Sequence, residues 1–379
     1  MRHCRKCVNV DTRPDTGLFI DGICSACLFT EARKKETVDW KQRNKELAGI
    51  VQWGKENTKS SYDCIVTVSG GKDSMRQAFF ARDELKLKPL LVSCVYPPEQ
   101  LHERGADNLS NLVSRGFDTV CMSLNPQIWK KMMRQAFFKF GNQAKSTELA
   151  LYAIPIHVAI AYKIPLIFLG ENPLYTMGQQ EGKSSGGSAN GMQYSNTLQG
   201  GSPDPLSDKD IALRDVYFYR YPCDDEIEYA KLRVVYLGYY IEDWSNDSNA
   251  QFALKRGLKI RTEPPAEIGD IGGFCALDEE FKIVNQMIKY VKFGFGSVTD
   301  QLCMAINQGL ITREKALELV DKYDGKCHPR YIDMFCKYLE ISTNEFWEVV
   351  EKFRGKHVWQ KDEEGQWKLK IDSFPKVVG

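Results

Sequence analysis

Residues 66–74, with the sequence VTVSGGKDS, constrain the possible folds of this chain more than any other segment. The three residues before Ser69 are β-branched and typical of a buried strand, and the residues from 74 to 86 predict a helix. A glycine turn between a strand and a helix directs backbone N–H groups and a helix N-terminus at one point. The segment therefore predicts an anion-binding site at the carboxyl end of a strand.

Strands and helices alternate on both sides of this turn. The predicted strands are 63–69, 89–96, 118–124 and 165–170. The predicted helices are 74–86, 105–115 and the helical stretch 126–162. This alternation implies a parallel sheet with helices on both faces, in which ligands bind beyond the carboxyl ends of the strands. The predicted fold class is therefore α/β.

The rest of the chain predicts a small N-terminal module and a largely helical C-terminal region, with helical segments that include 225–239 and a final surface hairpin. A stretch rich in Gly, Ser, Asn and Pro separates the sheet domain from that region, and it is either a lid over substrate or a plain surface insertion. The predicted units are a knuckle at 1–30, a linker helix at 31–61, the sheet domain at 62–180, the loop at 181–209 and the helical region at 210–379.

Four of the twelve cysteines have the spacing of metal ligands. They form two C-x2-C pairs separated by sixteen residues: Cys4, Cys7, Cys24 and Cys27. This is the spacing of zinc ribbons, and a site with four thiolates leaves no open coordination position, so the predicted role is structural. Unrelated buried thiols and an iron–sulfur cluster are the alternatives.

The charge balance argues against several classes of partner. The chain has 51 basic and 50 acidic residues, so its net charge of +1 gives no overall reason to bind nucleic acid. Its most apolar stretch, 152–170, contains His157, Lys163 and two prolines, which favours a buried helix and strand over a membrane span. No apolar segment follows the basic residues at the start, so we expect no signal peptide and a cytoplasmic location.

The glycine turn does not match the two best-known nucleotide loops. A Walker A loop would need glycine at Val66 and a hydroxyl at Asp73, and the dinucleotide fingerprint would need separated glycines. The pattern S-G-G-x-D-S instead resembles the signature of the PP-loop ATP pyrophosphatases, which have the adenine nucleotide alpha hydrolase-like fold. Gly70 and Gly71 would let the main chain approach a pyrophosphate, to which the hydroxyls of Ser69 and Ser74 would donate.

The charged residues of the loop suit ATP as a cosubstrate. Asp73 would coordinate Mg²⁺ bound to the phosphates, and Lys72 would stabilise the departing pyrophosphate. The resemblance implies cleavage between the α and β phosphates and an adenylylated intermediate. It also implies that adenine lies against the end of the second strand, where Ser93 and Val95 are candidates.

The strand at 165–170 leads into a carboxylate and an amide. Glu171 would be a metal ligand or general base, and Asn172 would orient substrate. A turn or helix cap is the alternative, because Asn172 and Pro173 also favour turns.

Taken in order, four motifs resemble the N-acetyl sugar amidotransferases, which include enzymes of pseudaminic acid and lipopolysaccharide O-antigen synthesis. They are the paired C-x2-C motifs, VSGGKDS, PLIFLGENP and KYVKFGFGSVTDQLCMAINQGLITREKALELVDKYDGK. The resemblance, over residues 1–326, implies that an N-acetyl group of a bacterial surface sugar becomes an acetamidino group. ATP would adenylylate the acetamide oxygen and ammonia would displace AMP. Lys292 and Gly294 are candidates for substrate binding, with a glycine-terminated helix as the alternative.

The sequence contains no recognisable glutaminase. Residue 2 is arginine, no G-x-C-x-G motif is present, and the five histidines form no visible constellation with a cysteine. Ammonia is therefore expected from solution or from a separate glutaminase subunit, and the resemblance favours a glutamine amidotransferase of the histidine-biosynthesis type.

Two other classes of protein remain as alternatives. A tRNA-modifying PP-loop enzyme of the thiolase type would need a basic face and a cysteine pair near the nucleotide, whereas the charge is balanced and no C-x2-C follows Cys27. A zinc-ribbon interaction protein with a degenerate nucleotide fold would have little reason to keep the S-G-G-x-D-S loop intact.

Overall fold

Five parallel strands form the central sheet of the computed structural model, in the order β3-β2-β1-β4-β5. The strands are β1 Cys64–Thr67, β2 Pro89–Cys94, β3 Thr119–Met122, β4 Leu166–Leu169 and β5 Arg233–Tyr236. In the middle of the sheet, Ile65 is paired with Leu90 on one side and Ile167 on the other. The fully parallel sheet confirms the predicted α/β fold class.

The structure describes residues 1–14, 19–35, 38–170, 186–194, 198, 200–207 and 209–372. The helices in these ranges are α1 Ser25–Lys35, α2 Trp40–Asn57, α3 Lys72–Phe79, α4 Glu103–Ser114, α5 Pro126–Phe140, α6 Ala144–Tyr162, α7 Asp224–Tyr229, α8 Asn246–Leu254, α9 Pro265–Ile268, α10 Phe281–Phe293, α11 Ser297–Asn307, α12 Arg313–Tyr323, α13 Pro329–Leu339 and α14 Thr343–Phe353. Strands β6 Trp359–Lys361 and β7 Trp367–Leu369 pair in antiparallel fashion and confirm the predicted hairpin.

Both faces of the sheet are covered, because successive residues of a strand point to opposite sides. Ile65 and Ile167 belong to a core shared with α5, α6 and the C-terminal helices. Their neighbours Val66 and Phe168 belong to a second core with α2, α3 and α8. This packing explains why the strands are short apolar runs, as expected for a parallel sheet with two buried faces.

Two predicted elements differ from the structure. Helix α3 begins at Lys72, inside the glycine turn, and continues as a π-helical turn at Phe80–Glu84. The segment 225–239, predicted to be helical, is helical only to Tyr229 and then forms β5, which was missed. Val234 and Val235 are buried there against β4, because two adjacent β-branched residues fit a sheet edge better than a helix surface.

The apolar segment around α6 is buried in the protein. Its His157 bonds through Nε2 to the carbonyl oxygen of Arg220 at 2.9 Å. None of the described helices combines the length and the apolar character that crossing a membrane requires.

Candidate functional site

The glycine turn lies at the carboxyl end of β1 and packs under α4. Gly70 has a positive φ of 76°, and a Cβ there would lie 3.1 Å from the Cβ of Asn108. Asn108, only 1% exposed, is fixed by two 2.8 Å hydrogen bonds to the backbone of Lys259. Glycine is therefore required for both the conformation and the close approach.

The turn leaves the N-terminus of α3 open for a ligand. Gly71 is the N-cap and provides no side-chain hydrogen bond to the helix. Ser74 is held close by, because its hydroxyl donates to the carbonyl of Gly71 at 3.0 Å. The first N–H groups of a helix lack intrahelical acceptors, so this end favours an anionic group such as phosphate.

Asp73 is held from two sides. Its Oδ2 accepts from Lys72 Nζ at 2.5 Å, and its Oδ1 accepts from Asn249 Nδ2 at 2.8 Å. Asn249 lies on α8 and is fully buried, whereas the Asp73 side chain keeps 31% of its surface exposed. The carboxylate is therefore positioned firmly but can still be reached by an ion or ligand. Sequence reasoning missed Asn249, since no local pattern links it to the loop.

A cavity of about 430 Å³ opens beside the turn, within the range of small-molecule sites. It lies beyond the carboxyl ends of β1, β2 and β3. Its lining includes Ser69, Ser93, Cys94, Val95, Tyr96, Gly105, Leu109, Cys121 and Asp278. Ser93 and Val95, the predicted adenine-binding residues, thus lie in the same cavity as the first residue of the loop. We call this the nucleotide cavity.

A second cavity, of about 250 Å³, adjoins the first. Both are lined by Ser69, Tyr96 and Asp278, so these three residues mark the junction between them. The other polar residues of the second cavity are Gln100, Gln143, Thr147, Glu148, Cys275, Glu279, Lys282 and Asn285. We call this the polar cavity. No sequence motif identified it.

Asp278 at the junction is the first of three consecutive acidic residues, which have different surroundings. Glu280 forms ion pairs with Arg104 at 2.8 Å and Arg261 at 2.7 Å. Asp278 and Glu279 form no ion pair within the described parts of the chain, although Glu279 accepts a hydrogen bond from Gln100 at 3.3 Å. Burial raises the pKa of Asp278 to about 6. Burial, together with the charge of Asp278, raises the pKa of Glu279 to about 7.

The four predicted metal ligands form a buried cluster at the N-terminus, as predicted. The sulfur atoms of Cys4, Cys7, Cys24 and Cys27 all lie within 4.8 Å of one another. Thiolates at about 2.3 Å from a single tetrahedral ion are about 3.8 Å apart, and the Cys7–Cys24 and Cys4–Cys27 sulfur distances are 3.6 and 4.0 Å. The distances between the sulfur atoms therefore fit ligands of a single ion, and they are short for ligands of a cluster that contains several iron ions.

The cluster joins the N-terminus to the C-terminal helices. It packs in one apolar core with residues of α11 and α12, including Leu302 and Val320. Arg313 Nε donates to the carbonyls of Cys4 and Cys7 at 3.0 and 3.1 Å. These contacts support the structural role predicted for the site.

Two of the remaining predicted site residues, Lys292 and Gly294, line neither the nucleotide cavity nor the polar cavity. Glu171 and Asn172 fall outside the described residues. Lys292 ends α10 and donates to the carbonyls of Phe140 and Gly141 at 2.6 and 3.4 Å, and Gly294 follows as a left-handed C-cap. These contacts match the alternative of a glycine-terminated helix.

The comparison with protein families finds one match. Residues 273–372 match the family model described as "LPS biosynthesis protein WbpG-like, C-terminal domain". The match confirms the predicted resemblance to a lipopolysaccharide-biosynthesis family and extends beyond residue 326. It also includes Cys275, Asp278, Glu279 and Lys282, which form one wall of the polar cavity.

The other comparisons add little. No curated protein matches the chain. Among solved structures, the chain is similar to the U34-tRNA thiolase NcsA from Methanococcus maripaludis with its [4Fe-4S] cluster, at 13% identity and a TM-score of 0.32, covering 85% of this chain and 89% of that one. A likeness this weak carries no functional argument.

Proposed function

We propose that this protein is an ATP-dependent, AMP-forming amidotransferase that converts an N-acetyl group of a bacterial surface sugar into an acetamidino group. The observation that carries the proposal is the open N-terminus of α3, with Asp73 and Lys72 beside it, on the loop whose first residue, Ser69, lines the nucleotide cavity. The family match in the C-terminal region supports a sugar of lipopolysaccharide type, either a nucleotide-linked sugar or a nonulosonic acid. A cytoplasmic location is part of the proposal, because ATP is available there.

The proposed reaction proceeds in two steps. The acetamide oxygen attacks the α-phosphorus of ATP and pyrophosphate leaves, with Lys72 and the N-terminus of α3 stabilising its charge. Ammonia then attacks the carbon of the adenylylated imidate, and AMP leaves with the former amide oxygen. Adenylylation is necessary because an amide oxygen is a poor leaving group.

Two metal ions belong to the proposal. Asp73 fits Mg²⁺, since its carboxylate is exposed at the loop where phosphate oxygens would also be present. There the ion would neutralise phosphate charge. The four cysteines fit Zn²⁺, because their spacing suits one tetrahedral ion and their burial leaves no open position for chemistry.

The proposed nitrogen source is a separate glutaminase subunit of the histidine-biosynthesis type, with free ammonia as the substitute in vitro. This rests on the missing glutaminase motif in the sequence and on the family resemblance.

One observation bears on the alternative of a tRNA thiolase. Cys94 and Cys121 line the nucleotide cavity and Cys275 lines the polar cavity. Burial raises the pKa of Cys94 to about 12 and raises the pKa values of Cys121 and Cys275 as well. Sulfur transfer needs thiolates, which this burial disfavours, so the surroundings of these cysteines support the sugar amidotransferase.

The test is a product analysis by mass spectrometry. The full chain is given ATP, Mg²⁺, ammonium and a panel of UDP-linked diacetamido uronic acids and free or CMP-linked nonulosonic acids. The expected product is lighter than its substrate by the difference between O and NH, with AMP and pyrophosphate in equal amounts. If no sugar product forms, but AMP and pyrophosphate are released when tRNA is supplied as the acceptor, the result would favour the thiolase. No nucleotide turnover under any condition would contradict the proposal.

A further inference from the structure

The polar cavity contains acidic groups that the proposed function has not yet used. Asp278 is the important one, because it lines both cavities and is therefore next to the place where a nucleotide and a second ligand would meet. The other two junction residues are Ser69, which begins the phosphate loop, and Tyr96, whose buried ring packs edge-on against Trp129 at 5.7 Å.

The backbone around Asp278 is held rigidly. The N–H of His102 donates to the carbonyl of Asp278 at 2.8 Å, and the neighbouring Glu280 is anchored by two arginines. A Cβ at Gly105 would lie 2.3 Å from the Cα of Asp278, so glycine allows α4 to pack directly on this loop. The backbone that carries the Asp278 side chain is thus fixed in position, and its carboxylate forms no ion pair with the residues that the structure describes.

The polar cavity also contains a buried acceptor without a partner. Gln143 is 2% exposed, and its Nε2 donates to the carbonyl of Phe281 at 3.0 Å, but its Oε1 has no hydrogen-bond partner among the described residues. A buried carbonyl oxygen without a partner is unfavourable in the free protein, so a donor on a ligand bound in this cavity would stabilise it. An amide N–H or a sugar hydroxyl would satisfy it.

We propose that the polar cavity binds the N-acetyl sugar, with Gln143 accepting a hydrogen bond from it, and that Asp278 is the acid–base group at the acetamide. This inference rests on the proposed function. The cavity orders the two ligands so that the acetamide lies at the junction, facing the α-phosphate beside Ser69.

The proton balance follows from this position. As the amide oxygen bonds to the α-phosphorus and the α–β phosphoanhydride bond breaks, the amide N–H proton passes to the Asp278 carboxylate. When the nitrogen of ammonia bonds to the imidate carbon and the bond to AMP oxygen breaks, Asp278 returns that proton to the imidate nitrogen. One ammonia proton passes to solvent, and the product is the charged amidine.

The surroundings of Asp278 suit this exchange. Burial raises its pKa to about 6, close enough to neutral pH for the carboxyl group to accept and return a proton. Six titratable or charged groups face it from the neighbouring elements: Cys94, Tyr96, His102, Arg104, Arg261 and Glu279. The two arginines lower the pKa of Asp278 and oppose the effect of burial.

The test compares the full-length wild type with Asp278→Asn, using ATP, ammonium and the sugar panel named above. The isosteric change should lower kcat by about 100-fold or more, because the proton acceptor is lost, and should leave the KM for ATP and the melting temperature nearly unchanged. The wild-type rate should fall as pH decreases through about 6, and the residual rate of the variant should lack that dependence. Glu267→Gln, which removes the half-buried partner of the exposed Arg330, is the matched control.

A second variant tests the pocket independently of the base. Gln143→Met should raise the KM for the sugar by about tenfold, through loss of one buried hydrogen bond, without changing the KM for ATP. If the wild type is active and Asp278→Asn turns over within a few-fold of the wild-type rate, the proposed role of Asp278 is overturned, but the sugar pocket is not. An unchanged sugar KM in Gln143→Met would overturn the pocket. A wild type without turnover on any sugar would overturn both this inference and the proposed function.

Discussion

The four-cysteine cluster and the carboxyl edge of the sheet are both built from buried polar residues, but they differ in what remains unsatisfied. In the cluster, four sulfur atoms face one another in a closed apolar environment. At the sheet edge, Asp278 and Gln143 line the polar cavity, and the N-terminus of α3 follows Ser69, which lines it too. Within the described parts of the chain, these groups lack full sets of partners. Four thiols that face only one another suit a permanently bound ion that stabilises the fold. Polar groups that lack partners beside a cavity suit substrates that bind and are released.

This difference predicts opposite outcomes for mutations. Changes at the sheet edge should reduce turnover and leave the protein folded. Changes in the cluster should release metal and reduce stability.

The largest expected effect comes from Asp73→Ala. Removing the carboxylate that would hold Mg²⁺ at the phosphates should lower kcat by about 1,000-fold, while the melting temperature stays near that of the wild type. The rate of pyrophosphate release measures kcat, and differential scanning fluorimetry measures the melting temperature. Asp83→Ala, which removes an exposed partner of Arg82, is the control. Normal turnover by Asp73→Ala would exclude this residue from the mechanism.

Cys24→Ser tests the other side of the comparison. Loss of one of four ligands should release the bound metal and reduce the free energy of unfolding by about 3 kcal/mol or more. Metal content by mass spectrometry and thermal unfolding are the measurements. The exposed Cys223 lies outside the cluster, so Cys223→Ser should change neither the metal content nor the thermal stability. If the purified protein contains iron and inorganic sulfide in place of zinc, the ligand set stands but the proposed ion is wrong.

Asn249→Ala tests whether the orientation of Asp73 depends on its hydrogen bond to Asn249 on α8. Removing a buried hydrogen bond to a charged group should reduce kcat by about tenfold to 100-fold, because the carboxylate loses its fixed orientation. Asn246→Ala changes the same helix without touching Asp73 and should have little effect on kcat. Equal rates for both variants would mean that Lys72 alone positions the carboxylate.

The smallest expected effect comes from a pair of glycine variants that distinguishes backbone strain from a role in ATP binding. Gly70 and Gly309 both have a φ near +77°, and a Cβ at Gly309 would contact nothing within 4 Å. Gly309→Ala should therefore destabilise the fold by about 1–2 kcal/mol, and Gly70→Ala by at least as much, because its Cβ would also lie 3.1 Å from Asn108. Only Gly70→Ala should also raise the KM for ATP, since its methyl group would displace the loop from Asn108. A similar KM in both variants would argue against phosphate binding at the loop.

Several features could be predicted because they depend on residues close together in the chain. The strand, glycine turn and helix at 64–79 follow from β-branched residues, two glycines and helical periodicity. The four cysteine ligands follow from two turns that each present two thiols. The boundary of α3 was less accurate, because the helix begins inside the turn, where sequence alone does not separate loop from first turn.

The sequence by itself therefore determined the parallel sheet, the glycine turn between β1 and α3 and the four-cysteine cluster, since the residue patterns that specify them extend over a few neighbouring residues. Only the tertiary structure decided that β5 completes the sheet, that Asn249 holds Asp73, and that Asp278 and Gln143 meet at a polar cavity. Asn249, for example, is 176 positions away from Asp73 in the chain. Their contacts arise from the packing of distant elements, which leaves no local pattern in the chain.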